Sequence, residues 1–233
     1  MPVVLAALPL VAAAGGAALG WWPLAGWVGR TLLVRSCPST RIRAIAATVA
    51  AVAFGALGWR FGGELTQPAT DASAAVVLGA LLGFAAAGTV LGIVDVLEHR
   101  LPNAVLGRAG LALAALLAVA AALDGGTGAG RALSALVGAA VLFGLFLAVS
   151  LASPRAMGMG DVKLAALVGG VLGWFGVTSW LYGVLAMFLL GGLAALVALA
   201  ARRLEPGGAM PFGPAMLAGA LLAFLVGPAS LGP

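Results

Sequence analysis

The chain has 233 residues, 63% of them apolar and only 8% charged, with 36 glycines and a mean hydropathy of +1.17. Water-soluble domains are about one-quarter charged, so a soluble enzyme is excluded. The single cysteine, Cys37, excludes an internal disulfide and a cysteine-built metal site, and the surplus of 12 Lys and Arg over 7 Asp and Glu is read first as membrane topology, not nucleic-acid binding.

At about 20 residues per crossing, the length holds about eight helices and little else. The expected fold is an all-α polytopic integral membrane protein, a single transmembrane domain over residues 1–233. Its apolar blocks predict spans at 4–26, 44–60, 73–94, 104–123, 132–151, 162–178, 180–200 and 212–229. The first lacks a basic leader, and Trp21, Trp22 and Trp27 suit interfacial anchoring of a retained helix. Length alone splits the block after Leu164, with the turn expected between Gly173 and Ser179; a seven-span alternative leaves the first five spans unchanged. Continuous apolar runs without period-two alternation argue against a strand barrel. Small-residue runs such as Gly15–Ala18, Gly79–Gly83 and Gly169–Gly170 permit close helix approach in lipid and carry no functional weight by themselves.

Charge sets the expected orientation. If residues 27–43 form a short basic cytoplasmic loop, that side receives Arg30, Arg35, Arg41, Arg43, Arg100, Arg108, Arg155, Lys163, Arg202 and Arg203. The other side receives Arg60 and Arg131 with Glu64, Asp71 and Asp124, the last expected to face solvent. Ten against two places both termini outside. The Ala, Gly and Arg bias suits a GC-rich bacterial host, though it is a feature of composition and not of lineage; the expected location is a bacterial cytoplasmic membrane.

Two segments could carry chemistry. Asp95 follows a long apolar run in Val94-Asp95-Val96-Leu97-Glu98-His99-Arg100-Leu101-Pro102-Asn103, and an acid at membrane depth is a functional candidate. The plainer reading ends the span at Val94, with Asp95 in water and residues 95–103 a connection that Pro102 turns back into the membrane. The second segment is Gly158-Met159-Gly160-Asp161-Val162-Lys163, where two glycines permit a tight turn beside the acid. Its plainer reading is a Gly-rich loop with a capping aspartate. The topology puts Asp95 and Asp161 on the same side. Two adjacent carboxylates share a proton, so one can act as base towards water while the other protonates a carbonyl oxygen: aspartic-peptidase chemistry, with no nucleophilic side chain, metal or cofactor. Ser150 and Ser153 lack a general-base partner, and Arg202-Arg203 reads as a topology and headgroup signal.

These stretches resemble the prepilin peptidases, or type IV leader peptidases, membrane aspartic peptidases with a GxGD motif. Residues 95–103 (DVLEHRLPN) are similar to the family's first motif, residues 158–163 (GMGDVK) to its second, and Met210-Pro211-Phe212-Gly213-Pro214 to its PFGP element; the likeness runs over about residues 75–225. Carried over, it implies a GxGD-type peptidase fold with Asp95 and Asp161 as the catalytic pair. Gly158, Gly160, Lys163, Pro102, Asn103, Pro211, Phe212, Gly213 and Pro214 would shape the motifs. Glu98 and His99 are candidates for substrate contact against a plainer reading as solvated loop residues, and Glu205 is a further acid on the basic side. The implied partners are prepilin or pseudopilin precursors, cut at the cytoplasmic face after a short basic leader, usually following Gly, with membrane lipid around the enzyme and no nucleic acid. Larger members add a loop with two CxxC pairs; here residues 27–43 hold only Cys37, so a four-thiolate zinc site is impossible. That departure implies a short form without N-methylation, similar to the enzymes of Flp/Tad-type pili. Rival readings are a presenilin-like peptidase, disfavoured by Val94 before the aspartate, a proton-coupled transporter, and a noncatalytic pilus or secretion assembly protein.

Overall fold

A computed structural model describes residues 2–32, 39–65, 72–153, 157–202 and 211–231. Arg35, Cys37, Asp71, Arg155, Arg203, Glu205 and Met210, all named above, lie outside the described residues. Within them, α1 (Pro2–Leu19) continues through a π-helical turn (Gly20–Leu24) into α2 (Ala25–Thr31). There follow α3 (Thr40–Leu65), α4 (Ala72–Glu98), α5 (Asn103–Leu123), α6 (Gly128–Ala152), α7 (Met159–Trp174), α8 (Gly176–Ala200) and α9 (Gly213–Val226). Among the described residues six stretches are long and apolar enough to cross a membrane: Ala7–Thr31, Thr40–Glu64, Ala72–Glu98, Asn103–Leu123, Gly128–Ala152 and Gly176–Ala200. α7 and α9 are shorter, at 16 and 14 residues.

The helices outrun the predicted spans where nothing in the backbone stops them. α4 does not end at Val94; it runs to Glu98, because neither Asp95 nor Glu98 obstructs helical hydrogen bonding. It stops at His99, whose backbone turns left-handed (φ 52°) while its N–H bonds to the Asp95 carbonyl at 2.8 Å. The connection to α5 is therefore residues 99–102, not 95–103. Likewise the first rod stays helical to Thr31 and α3 begins at Thr40, so both ends of the loop expected over 27–43 are helical. Pro23 lies in the π turn, where a missing N–H is accommodated by the wider winding. The expected break between Gly173 and Ser179 falls at Phe175, with Gly176 at φ +89°.

Lipid offers no hydrophobic drive between helices, so packing must come from close contact. α6 and α7 meet backbone to backbone. A Cβ on Gly138 would stand 2.5 Å from the Gly169 carbonyl oxygen, one on Gly173 would stand 2.5 Å from that of Ser134, and one on Gly169 would run into Gly138. α1 and the π turn meet α3 in the same way, through Gly16 against Ala50 and Gly20 against Ala46.

Polar contacts sort the bundle into two ends. At one, Arg131 binds Asp124 (3.0 Å) and the Ser230 and Leu231 carbonyls (both 3.3 Å), stacking over Trp174 at 4.6 Å. Arg60 pairs with Glu64 (3.3 Å) and donates to the Ala229 carbonyl, and Leu231 N–H donates to Glu64 at 2.7 Å. Asp124 is thus not solvent-facing: its side chain is 0% exposed, because the Arg131 guanidinium covers it. At the other end Arg100 donates to the Thr31 carbonyl, and Lys163 to Asn103. Of the charges grouped from the sequence, Arg60, Glu64, Asp124 and Arg131 thus meet at one end, and Arg100 and Lys163 at the other.

Replacing Gly169 by Leu should lower the unfolding midpoint of the detergent-solubilised protein by roughly 10 °C, since overpacking against backbone costs several kcal/mol. Gly144→Leu, on the same α6 but with open space at its Cβ, should leave it nearly unchanged.

Candidate active site

α4 supplies Asp95 from its last helical turn, and only 4% of the residue is exposed. This removes the reading in which Asp95 merely faces water. Oδ2 accepts the backbone N–H of Gly213 at 3.0 Å. Gly213 opens α9, and helix starts carry unpaired N–H groups and partial positive charge. No side chain fits there: a Cβ on Gly213 would lie 2.7 Å from Asp95 Oδ2 and 3.5 Å from Leu164 Cδ2.

α7 supplies Asp161 from its first turn, ahead of the apolar run that begins at Val162 and outside the six membrane-length stretches. Gly158 caps that helix in extended conformation (φ −78°, ψ 153°), and its N–H bonds back to the Asp161 carboxyl, half of a capping box. Burial, and after it the charge of Asp95, raise the Asp161 carboxyl to about 6, with the Gly158 bond pulling the other way. Oδ1 of Asp161 is buried and has no hydrogen-bond partner among the described residues. The two carboxylates therefore lie close enough to oppose each other's ionisation, one reaching the site from the end of a helix and the other from the start of one.

The motifs around them interlock. A Cβ on Gly160 would meet the Leu101 Cβ at 2.8 Å, so this glycine is sterically required. Gly158 is not: its conformation suits any residue, and a Cβ there would find only Asp161 Oδ2 at 3.7 Å and the Gly160 nitrogen at 4.0 Å. Lys163 Nζ donates to Asn103 Oδ1 at 2.7 Å, joining the second motif to the first, while Pro102 caps α5 (φ −65°, ψ 118°). Pro214 occupies the first turn of α9, where a missing N–H is harmless. Pro211, partly buried, leads into Phe212, whose ring packs against Phe146 (5.9 Å) and Phe188 (5.8 Å).

Several supporting residues were not legible beforehand. Gly191 of α8 makes room for the Phe212 ring, and Leu101 is the wall against Gly160. Arg100 holds Glu98 (Nε–Oε2 2.6 Å) and the Thr31 carbonyl, pinning the turn after Asp95 to the end of α2. His99 is exposed and serves that turn through its backbone. Ser150 donates to the Met157 carbonyl at 3.2 Å, a link from α6 to the residue before Gly158. Among the described residues no three His, Cys, Asp or Glu side chains converge as a metal-binding group.

Because Asp161 ionises at a higher pH in the folded protein than its ordinary value of 3.8, the folded state binds the extra proton between those limits. Stability should therefore fall as pH rises from about 4 to about 6, with the full penalty present above that window. Asp161→Asn should melt a few degrees above the parent at pH 7.5, the gap closing towards pH 4, as read by thermal unfolding in detergent.

A family model described as the Type IV leader peptidase family matches residues 82–200, which include both aspartates. Searches of curated proteins and of solved structures returned no significant match. The matched half of the chain holds α5, α6, α7 and α8 entire, together with the part of α4 that carries Asp95. The chain belongs to the type IV leader peptidase, or prepilin peptidase, family of membrane aspartic peptidases, which cleave prepilin-type leader sequences at the membrane.

Proposed function

We propose that this chain cleaves the short basic leader from prepilin-like or pseudopilin precursors at the cytoplasmic face of a bacterial membrane, using Asp95 and Asp161. The observation that carries the reading is the meeting of a buried carboxyl group, Asp95, with a half-buried one, Asp161, at one end of an otherwise apolar bundle. That end also gathers Arg100 and Lys163, whereas Arg60 and Arg131 occupy the other. The excess of basic residues on the Asp95 side supports a cytoplasmic site.

In the proposed reaction the pair shares one proton, with Asp161 carrying it and Asp95 acting as base. Asp95 removes a proton from water, the hydroxide oxygen bonds to the scissile carbonyl carbon, and Asp161 protonates the carbonyl oxygen. The tetrahedral diol collapses as the proton on Asp95 passes to the amide nitrogen. The C–N bond breaks, and a diol proton returns to Asp161. The Gly213 N–H holds Asp95 in place through the cycle, and the Lys163–Asn103 bond keeps the two motif turns in register. Glu98 and His99, at the same turn, are the proposed contacts for the leader. Cleavage without methylation is proposed because no second cysteine accompanies Cys37.

The test is co-expression with a candidate prepilin from the same organism, following leader loss by mass spectrometry. The parent should release an unmethylated mature subunit. Asp95→Asn and Asp161→Asn, each confirmed to accumulate in membranes, should lower cleavage by roughly three orders of magnitude. Undiminished cleavage in either variant overturns the site assignment. Gly213→Ala should lower the rate by about one to two orders of magnitude, since its methyl displaces the Asp95 carboxylate.

A further inference from the structure

Between α3, α4 and α9 runs an apolar groove of about 450 Å³. Its walls are helical stripes. Ile45, Val49 and Val52 on α3 follow the spacing of one helix face, and α4 contributes from Leu81 to Leu97, with Pro214 and Leu221 from α9. Val52 is 61% exposed and Val96 55%, so a valley of large apolar side chains stands uncovered. Sixteen residue steps along α4 give the groove a length of about 24 Å, most of the apolar depth of a bilayer.

One end of the groove lies beside Asp95, which does not itself line it. Ile93 and Val96, which line it, flank Asp95 in the last turns of α4, and Pro214, at its rim, follows the Gly213 that bonds Asp95. A chain held with its scissile bond at Asp95 and continuing into the bilayer meets this groove first. Among the lining residues only Thr48 and Thr89 are polar, and Thr89 is already bonded to the Ala85 carbonyl at 2.9 Å. Nothing in the groove rewards a charged or peptide-like extended occupant, whose backbone groups would be stranded; a helix satisfies its own.

We propose that this groove docks the apolar helix of the substrate, with the amino-terminal end of that helix at the carboxylate pair. The inference rests on the peptidase reading above and adds to it the surface that aligns the precursor. Binding energy from the non-reacting helix then fixes the position of the scissile bond at the carboxylate pair.

The test uses the full chain in membranes and a tagged precursor consisting of a basic leader ending in Gly joined to an apolar helix of about 20 residues. A photocrosslinking residue is placed at Val49, Val52 or Val96 in an Asp161→Asn background that holds the precursor uncleaved. Control positions are Leu136 and Leu189, exposed on α6 and α8. Groove positions should label the precursor's apolar helix at least about fivefold above the controls, the margin expected of a specific helix–helix contact. Equal labelling, labelling of lipid alone, or labelling of a second copy of this chain overturns the proposal. Independently, Ala218→Trp, at an exposed groove position, should raise KM about tenfold with kcat changed less than about twofold, while Leu189→Trp changes neither. An unaltered KM in well-accumulated Ala218→Trp also overturns it. Absence of cleavage by the parent would count against the peptidase reading itself; normal cleavage without groove labelling would count against the docking surface alone.

Discussion

A carboxylate taken out of water has to be hydrogen-bonded or share a proton, and every notable feature of the site follows from meeting that demand inside a nearly uncharged bundle. Side chains that could help are scarce, so the backbone serves. Asp95 is met by the free N–H at the start of α9, and Asp161 by the N–H that caps its own helix. Backbone donors require close approach, and so Gly213 lies where even a methyl group would strike Asp95. Oδ1 of Asp161 is buried without a protein partner among the described residues.

Getting three helix termini to one point is the work of the rest of the fold. Glycine contacts draw α6 and α7 together until backbones touch, which sets the height of Asp161. The Phe146, Phe188 and Phe212 rings lock the approach to α9 from α6 and α8. At the far end Arg60, Glu64 and Arg131 hold residues 229–231, so α9 is tied beyond its last turn as well as at its first. A helix anchored at both ends holds its N-terminal donor in place, and that preorganisation matters more to catalysis than the strength of any one bond.

The geometry also weighs on the rival readings. Ion-coupled transporters place their acids near the membrane midplane at broken helices, often in repeated halves. Here Asp95 lies in the final turn of an unbroken α4 and Asp161 in the first turn of α7, with the motif turns clasped by Lys163 and Asn103. Such an arrangement suits a bond that arrives at the membrane edge, as the junction between a leader and an apolar helix does. The family match over residues 82–200 agrees with that chemistry.

Composition and apolar block length were enough to determine an all-helical membrane chain and the approximate position of each rod, because the bilayer fixes span length and penalises charge within it. The two aspartates were legible too, since an acid against an apolar run has few structural uses. Helix ends were less so. Sequence stopped α4 at Val94 because charge was taken as the edge of the membrane, yet a helix ends where its backbone does, at the left-handed His99. Nor could sequence reveal that Gly213 bonds Asp95 from 118 residues away, that Gly191 makes room for Phe212, or that Asp124 is covered by Arg131. Those depend on which helices cross and how closely, and crossing is decided by packing between segments far apart in the chain, where local pattern carries no information.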